Sequence, residues 1–172
     1  MLALPRVLTV RDFALRPETE ADIPFLRRLF ISTRWEELAP IVDWTEEQKR
    51  IFLEGQFAAQ RHHYLLYYAD CDRAVLEKSG IPFGRLYIDR QPSMLLVVDI
   101  SLLPECRGRG IGTALLEAVI AEASGAGKFV ALSVEKLNPA LRLYRRLGFR
   151  KVDDQGVYWS MEWRSDPDVP QK

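Results

Sequence analysis

Cysteine is scarce in this chain, at two residues in 172, and histidine is equally scarce. Cys71 and Cys106 lie among polar and charged neighbours, with no C-x-x-C pair and no histidine at ligand spacing. That excludes a disulfide scaffold and gives no metal site, and two thiols suit a reducing compartment. An excess of charge of one sign is also missing, since 24 Lys and Arg balance 24 Asp and Glu. A neutral chain lacks the electrostatic footprint of a general nucleic-acid binder, so no nucleic-acid partner is expected. No long apolar run exists either. The longest, Met94 to Val98, falls far short of the roughly 20 residues that span a bilayer. The opening residues, MLALPRVLTVRD, have no basic region ahead of an apolar one, which gives no signal peptide. A soluble, cytoplasmic protein without a membrane partner is expected.

What is present is an ordinary globular composition, 48% hydrophobic and 28% charged. Disorder, collagen and coiled coil are thereby excluded. The length suits one domain, read as residues 12–164 between a leader (1–11) and a flexible polar tail (165–172).

Turn and cap signals divide that domain. Asp12 to Arg16 reads as a short strand stopped by Pro17. Thr19 to Asp22 matches a capping pattern, and a helix to about Thr33 follows, with Ile23, Leu26, Leu29 and Phe30 on one face. Residues 34–44 read as a loop or short turn holding Trp35 and Trp44 with Glu36, Glu37 and Asp43. Thr45 to Gln48 is a second capping box, opening a helix to about Tyr64. Strands follow at Asp72 to Lys78 and at Phe83 to Arg90, hinged at Ser79-Gly80. The run Met94 to Leu103 suits a central strand buried on both faces. A Gly-rich turn then opens a helix that ends at the Ser124 to Gly127 cluster. Phe129 to Val134 is a further strand. Asn138 as N-cap with Pro139 at the first helical position opens a helix to Leu147. Phe149 to Val152 is a strand, Asp153 to Gly156 a turn, and Val157 to Trp163 an alternating strand. Its apolar face is either core or a dimer contact. The order β-α-α-β-β-β-α-β-α-β-β implies one α/β domain, a mixed sheet with helices on both faces.

The turn Cys106 to Thr113, CRGRGIGT, carries chemistry. It is not a Walker A loop, because Gly112 stands where Lys is needed. It is not G-x-G-x-x-G either, because Thr113 holds the third glycine position. Yet a strand feeds a Gly-rich turn that opens a helix. The first helical N–H groups lack intrahelical partners, and the dipole adds about half a positive charge there. Glycines let an anion approach the backbone, and Arg107 and Arg109 add charge. The residues alone fit a phosphate site, or a plain tight turn with exposed arginines. Likewise Tyr144, inside Asn138 to Phe149, fits either a proton donor or a core residue. A phenol near pKa 10 can serve a leaving thiolate whose acid lies near 8.5.

Together these segments resemble the GNAT superfamily of acyl-CoA-dependent N-acyltransferases. The family's R/Q-x-x-G-x-G/A motif is matched by Arg107-Gly108-Arg109-Gly110-Ile111-Gly112, preceded by Ile100-Ser101-Leu102-Leu103-Pro104. Its later Asn…Tyr…Gly-Phe signature is matched by Asn138, Tyr144, Gly148 and Phe149. The resemblance implies a single-domain fold with a mixed, mostly antiparallel sheet of about six to seven strands and about four helices on both faces. It implies acetyl-CoA as cofactor, CoA as product and an amine acceptor, a small molecule or a peptide. Backbone N–H groups from Arg109 through Thr113 would hold the pyrophosphate. The backbone of Ile100 and Leu102 would pair with the pantetheine arm, and the same strand would offer an N–H to the thioester oxygen. Asn138 would touch the pantetheine or adenylate side, and Tyr144 would protonate the departing thiolate. Arg142, Arg145 and Arg146 are candidates for the 3′-phosphate. The strand Glu that many members use as base is absent.

Asp99 is the only carboxylate inside the apolar run. A charge in a buried strand is costly unless partnered or functional, so Asp99 is either the base for the amine, directly or through water, or a structural residue that bonds a neighbouring loop or an arginine. Glu36, Glu37 and His63 are further candidate bases. The tryptophans and carboxylates of 34–44 suit a cationic amine, or they pack the loop down. The leading function is N-acetyl transfer by direct attack in a ternary complex. The alternatives are a non-catalytic acyl-CoA-binding or regulatory module and a transferase for another acyl group.

Overall fold

The computed structural model describes residues 2–3 and 12–165. The leader and tail otherwise lie outside the described residues, although Leu2 is buried in the larger core. Seven strands form one sheet: β1 (Phe13–Pro17), β2 (Asp72–Lys78), β3 (Ile81–Arg90), β4 (Met94–Leu102), β5 (Phe129–Glu135), β6 (Arg150–Gln155) and β7 (Tyr158–Trp163). Their spatial order is β1-β2-β3-β4-β5-β7-β6, so β4 is central. Every pairing is antiparallel except β4 with β5. Among the described residues there are four α-helices: α1 (Ile23–Arg34), α2 (Glu46–Tyr67), α3 (Ile111–Gly125) and α4 (Leu141–Arg146).

The helices divide between the two faces because strand side chains alternate. In β2, Val75 joins Phe25, Leu26, Leu29 and Phe30 of α1 and Leu53 and Phe57 of α2 in one cluster. Its neighbour Leu76 joins the other, with Leu115, Leu116 and Val119 of α3 and Leu141 and Tyr144 of α4. The alternating apolar face of the last strand is core, since Met161 is buried and Trp159 and Trp163 pack against the α3 cluster.

Local chemistry fixes the helix starts. Thr45 Oγ1 accepts from the Gln48 N–H at 3.2 Å, and Gln48 Oε1 accepts from the Thr45 N–H at 2.8 Å. Such a cap stabilises a helix by about 1 kcal/mol. Asp22 Oδ2 accepts from the Thr19 N–H at 2.8 Å. Arg16 clamps the Asp22 carboxylate through two bonds, of 2.6 and 2.7 Å, tying β1 to the start of α1.

Residues Trp35–Leu38 form a 3-10 turn within the segment read as a loop or short turn. Two elements differ from the sequence reading. The α4 helix begins at Leu141, because Asn138 Oδ1 accepts from the Ala140 N–H at 2.9 Å. That bond closes an Asn-type turn over Pro139 and delays the helix. The β6 strand continues to Gln155, through residues read as a turn. It is an exposed edge strand, where polar side chains are tolerated. The reversal is left to Gly156, at φ +76°.

Two features position the site. First, β4 and β5 pair only from Met94–Phe129 to Val97–Leu132. Beyond that point Asp99 to Leu102 pair with β3 alone and Ser133 to Glu135 with β7 alone, so a wedge opens mid-sheet. Second, the β3–β4 register shifts by one residue, with Tyr87 opposite Asp99 but Ile88 opposite Val97. Val98 is the extra residue of a β-bulge, which reverses the side-chain alternation beyond it. Leu95 and Val97 face the α3 core, and after the bulge Ile100 and Leu102 do so. Asp99 and Ser101 are thereby turned toward α2.

Candidate active site

At the mouth of the wedge, β4 leads through a 3-10 turn, Pro104–Cys106, into the Gly-rich loop. Gly108 and Gly110 stand at φ +69° and +79°, and a Cβ on either would meet open space. Gly110 is the N-terminal cap of α3, and Arg107 to Gly110 are exposed. The left-handed backbone at both glycines makes a tight entry to the helix, whose first N–H groups have no intrahelical partner. Arg107 is anchored, its Nε donating to the Leu102 carbonyl at 3.0 Å. Gly112 faces α4, where a Cβ would lie 3.5 Å from Leu143 Cδ2, an ordinary contact distance. Arg146 of α4 donates to Thr113 Oγ1 at 3.1 Å. The loop and α4 therefore form one unit. With exposed donors, a helix N-terminus and cationic side chains, this unit fits a pyrophosphate.

Tyr144 lies on the inner face of α4, 7% exposed, with its ring edge-on to Phe149 at 5.8 Å. Burial first, and the Asp99 charge second, push its phenol up to about 12. Among the described residues its hydroxyl makes no hydrogen bond to the protein. Asn138 is exposed beside this helix, its side chain occupied in the turn.

Asp99 has three donors. Oδ2 accepts from Arg85 Nη2 at 2.6 Å and from Tyr64 OH at 3.1 Å, and Oδ1 accepts from Ser101 Oγ at 2.6 Å. Each carboxylate oxygen has about two acceptor positions, so one on Oδ1 is open. Arg85 and Tyr64 were not foreseen from the sequence. The signal was there: Arg85 is a lone charge in the strand PFGRLYI, as Asp99 is in its own.

The other candidates lie apart. Glu37 pairs with Arg34, and His63 is exposed, stacked at 4.5 Å on Tyr67. Glu36 is exposed. Trp44 packs edge-on to Phe52 at 5.3 Å and Trp35 packs on the α1–α2 core, which holds the 34–44 segment down. Arg142 is exposed, while Arg145 lies over the Trp159 ring at 5.4 Å. Among the described residues no helix is long and apolar enough to cross a membrane.

This geometry agrees with what the chain is similar to. A family model described as an acetyltransferase (GNAT) domain matches residues 60–151. Among solved structures, the PaiA N-acetyltransferase of Thermoplasma acidophilum, in complex with coenzyme A, superposes with a TM-score of 0.66 at 20% identity, over 89% of this chain and 99% of its own. An acetyltransferase from Thermus thermophilus gives 0.62 at 23% identity, over 88% and 96%. Arabidopsis thaliana Naa50, in complex with the bisubstrate analogue CoA-Ac-MVNAL, gives 0.58 at 16% identity, over 90% and 99%. At such identities the likeness is one of fold.

Proposed function

The chain belongs to the GNAT acetyltransferase family, and from that premise we propose that it acetylates a primary amine by direct attack on acetyl-CoA, with both substrates bound at once. The observation that carries the proposal is the wedge: a stretch of β4 paired with β3 but not with β5, beside a glycine loop at a helix N-terminus, with Tyr144 buried on α4. A neighbour in fold holds coenzyme A, and another holds an analogue joining CoA to a peptide.

Acetyl-CoA supplies an acyl group activated as a thioester. The chain's residues do the rest. Arg107, Gly108, Arg109, Gly110, Ile111, Gly112 and Thr113 hold the pyrophosphate through backbone N–H groups and two guanidiniums. A Cβ on Gly108 or Gly110 would be strained, because both need φ near +70 to +80°, which glycine alone adopts freely. Ile100 and Leu102 offer their backbone to the amides of the pantetheine arm, as a sheet edge accepts an added strand. Asn138 contacts that arm from the other side. A β4 N–H stabilises the thioester oxygen as it gains negative charge.

Asp99 takes the proton of the incoming ammonium, directly or through water, at the open position on Oδ1. Tyr144 donates to the sulfur as the C–S bond breaks. Cys106 lies before the loop and Cys71 before β2, so direct transfer needs neither thiol. The test is thiol release from acetyl-CoA against a panel of primary amines and short peptides. Amine-dependent release with the acetylated amine in equal amount supports the proposal. Release that does not depend on any amine overturns it.

A further inference from the structure

Arg85 is the most deeply buried cation described, with its side chain 4% exposed in the middle of β3. Its surroundings are poorly suited to stabilising the fold. A single nitrogen, Nη2, serves both Asp99 at 2.6 Å and Gln60 at 2.8 Å. The paired, two-bond contact that makes arginine–carboxylate pairs strong is absent. Nε is buried without a partner. Buried ion pairs of this kind are often no better for stability than apolar side chains of similar volume.

The guanidinium is nonetheless held firmly. It lies 5.2 Å from the Tyr87 ring centre and 5.9 Å from that of Tyr64. Tyr87 is itself held by Glu18, and Glu18 by Arg61 at 2.5 Å. Tyr64 comes from α2 and its hydroxyl donates to the same oxygen of Asp99 that Arg85 holds. Burial pushes the Tyr64 phenol well above its ordinary value, which keeps it a donor. Asp99 is thus fixed from two elements, β3 and α2, at the residue where the bulge turns β4 toward α2. Both contacts fall on Oδ2, and the open position remains on Oδ1.

We propose that Arg85 and Tyr64 are positioning residues that hold the Asp99 carboxylate by Oδ2 so that Oδ1 faces the acceptor's ammonium. The proposal rests on the reading of Asp99 as the proton acceptor. It assigns the buried charge to the reaction rather than to stability.

The experiment is a double-mutant cycle on the full chain, with kcat, the KM for acetyl-CoA and the thermal shift given by CoA measured for each variant. Asp99→Asn tests the underlying reading first: a rate within twofold of the original means that Asp99 is not the base. If Asp99→Asn lowers kcat by roughly 10²-fold or more, the cycle decides the rest. Arg85→Met and Tyr64→Phe should each lower kcat by about tenfold or more, with acetyl-CoA KM and the CoA shift within about twofold. Placed in the Asp99→Asn background, neither should lower kcat further, because each acts only through Asp99. Arg85→Lys should recover most of the rate.

Losses that multiply in full in the double variants overturn the proposal, as does an unchanged kcat in Tyr64→Phe and Arg85→Met while Asp99→Asn is slow. Should Arg85→Met not fold, Tyr64→Phe, which removes one oxygen, completes the same cycle. Its full additivity with Asp99→Asn, or its unchanged kcat, overturns the proposal equally.

Discussion

Tyr144→Phe removes a single oxygen, and its consequences follow from the surroundings. The phenol is raised to about 12 by burial and by Asp99. A thiol resembling cysteine ionises near 8.5, about 3.5 lower on the pKa scale, which at 1.36 kcal/mol per unit is roughly 5 kcal/mol. Full proton transfer to a free thiolate therefore runs uphill. Tyr144 contributes chiefly as a hydrogen-bond donor to sulfur while the C–S bond lengthens. Removing one such donor lowers kcat by roughly 10²–10³-fold. The hydroxyl makes no hydrogen bond to the protein among the described residues, so its loss leaves no partner unsatisfied. Tm should stay within about 2 °C, and CoA affinity within about twofold. The raised pKa also keeps the neutral phenol present past pH 10. The wild-type rate should then show no downward limb near pH 10 that Tyr144→Phe abolishes. The assay is thiol release from pH 6 to pH 10.5, with Tm and CoA affinity alongside. Equal losses of rate, affinity and Tm would show that Tyr144 is a packing residue and refute its role at sulfur.

Other substitutions test other links. A Cβ on Gly84 would lie 2.7 Å from both Leu102 Cδ2 and the Ser101 carbonyl, where ordinary contact begins at 3.4 Å. Gly84→Ala must push β3 and β4 apart at the wedge, at about 1–3 kcal/mol; thermal unfolding should show a fall of roughly 3–10 °C, with a raised acetyl-CoA KM. Gly110→Glu puts a strained residue and a like charge at the helix start and should abolish CoA binding by calorimetry. Unchanged binding refutes the loop assignment. The Arg16 clamp holds the Asp22 carboxyl well below the usual carboxylate range. The stability this gives is present above about pH 4 and is lost as pH falls toward the depressed folded value. Asp22→Asn should therefore lower Tm at pH 7, by about 2 kcal/mol of stability, and the difference from wild type should shrink as acid is added.

Much of the fold was legible because its signals are local. The Thr45 capping box, the Ser79-Gly80 turn and the apolar run of β4 each follow from residues within one segment. The loop and Tyr144 were legible as motifs. What was missed depends on partners distant in sequence. The Val98 bulge has no signature, since valine suits any strand, yet it decides which face Asp99 occupies. The Arg85–Asp99 pair exists only once β3 lies beside β4. The edge strand β6 was cut short because Asp153, Asp154 and Gln155 resemble a turn, and only pairing with β7 makes them strand. Asn138 has the look of a helix cap, but its side-chain Oδ1 accepts from the N–H two residues on and closes a turn first.

The most direct test of the central claim is thermal unfolding with excess acetyl-CoA, with CoA and ATP as controls. A ligand at 100 times its dissociation constant stabilises by about 2.7 kcal/mol, or roughly 5–10 °C for a chain of this size. The glycine loop and open wedge predict that shift with acetyl-CoA and with CoA, and a much smaller one with ATP, which has no pantetheine arm for β4 to pair with. No shift with either coenzyme, or an equal shift with ATP, would contradict an acyl-CoA site built on the wedge.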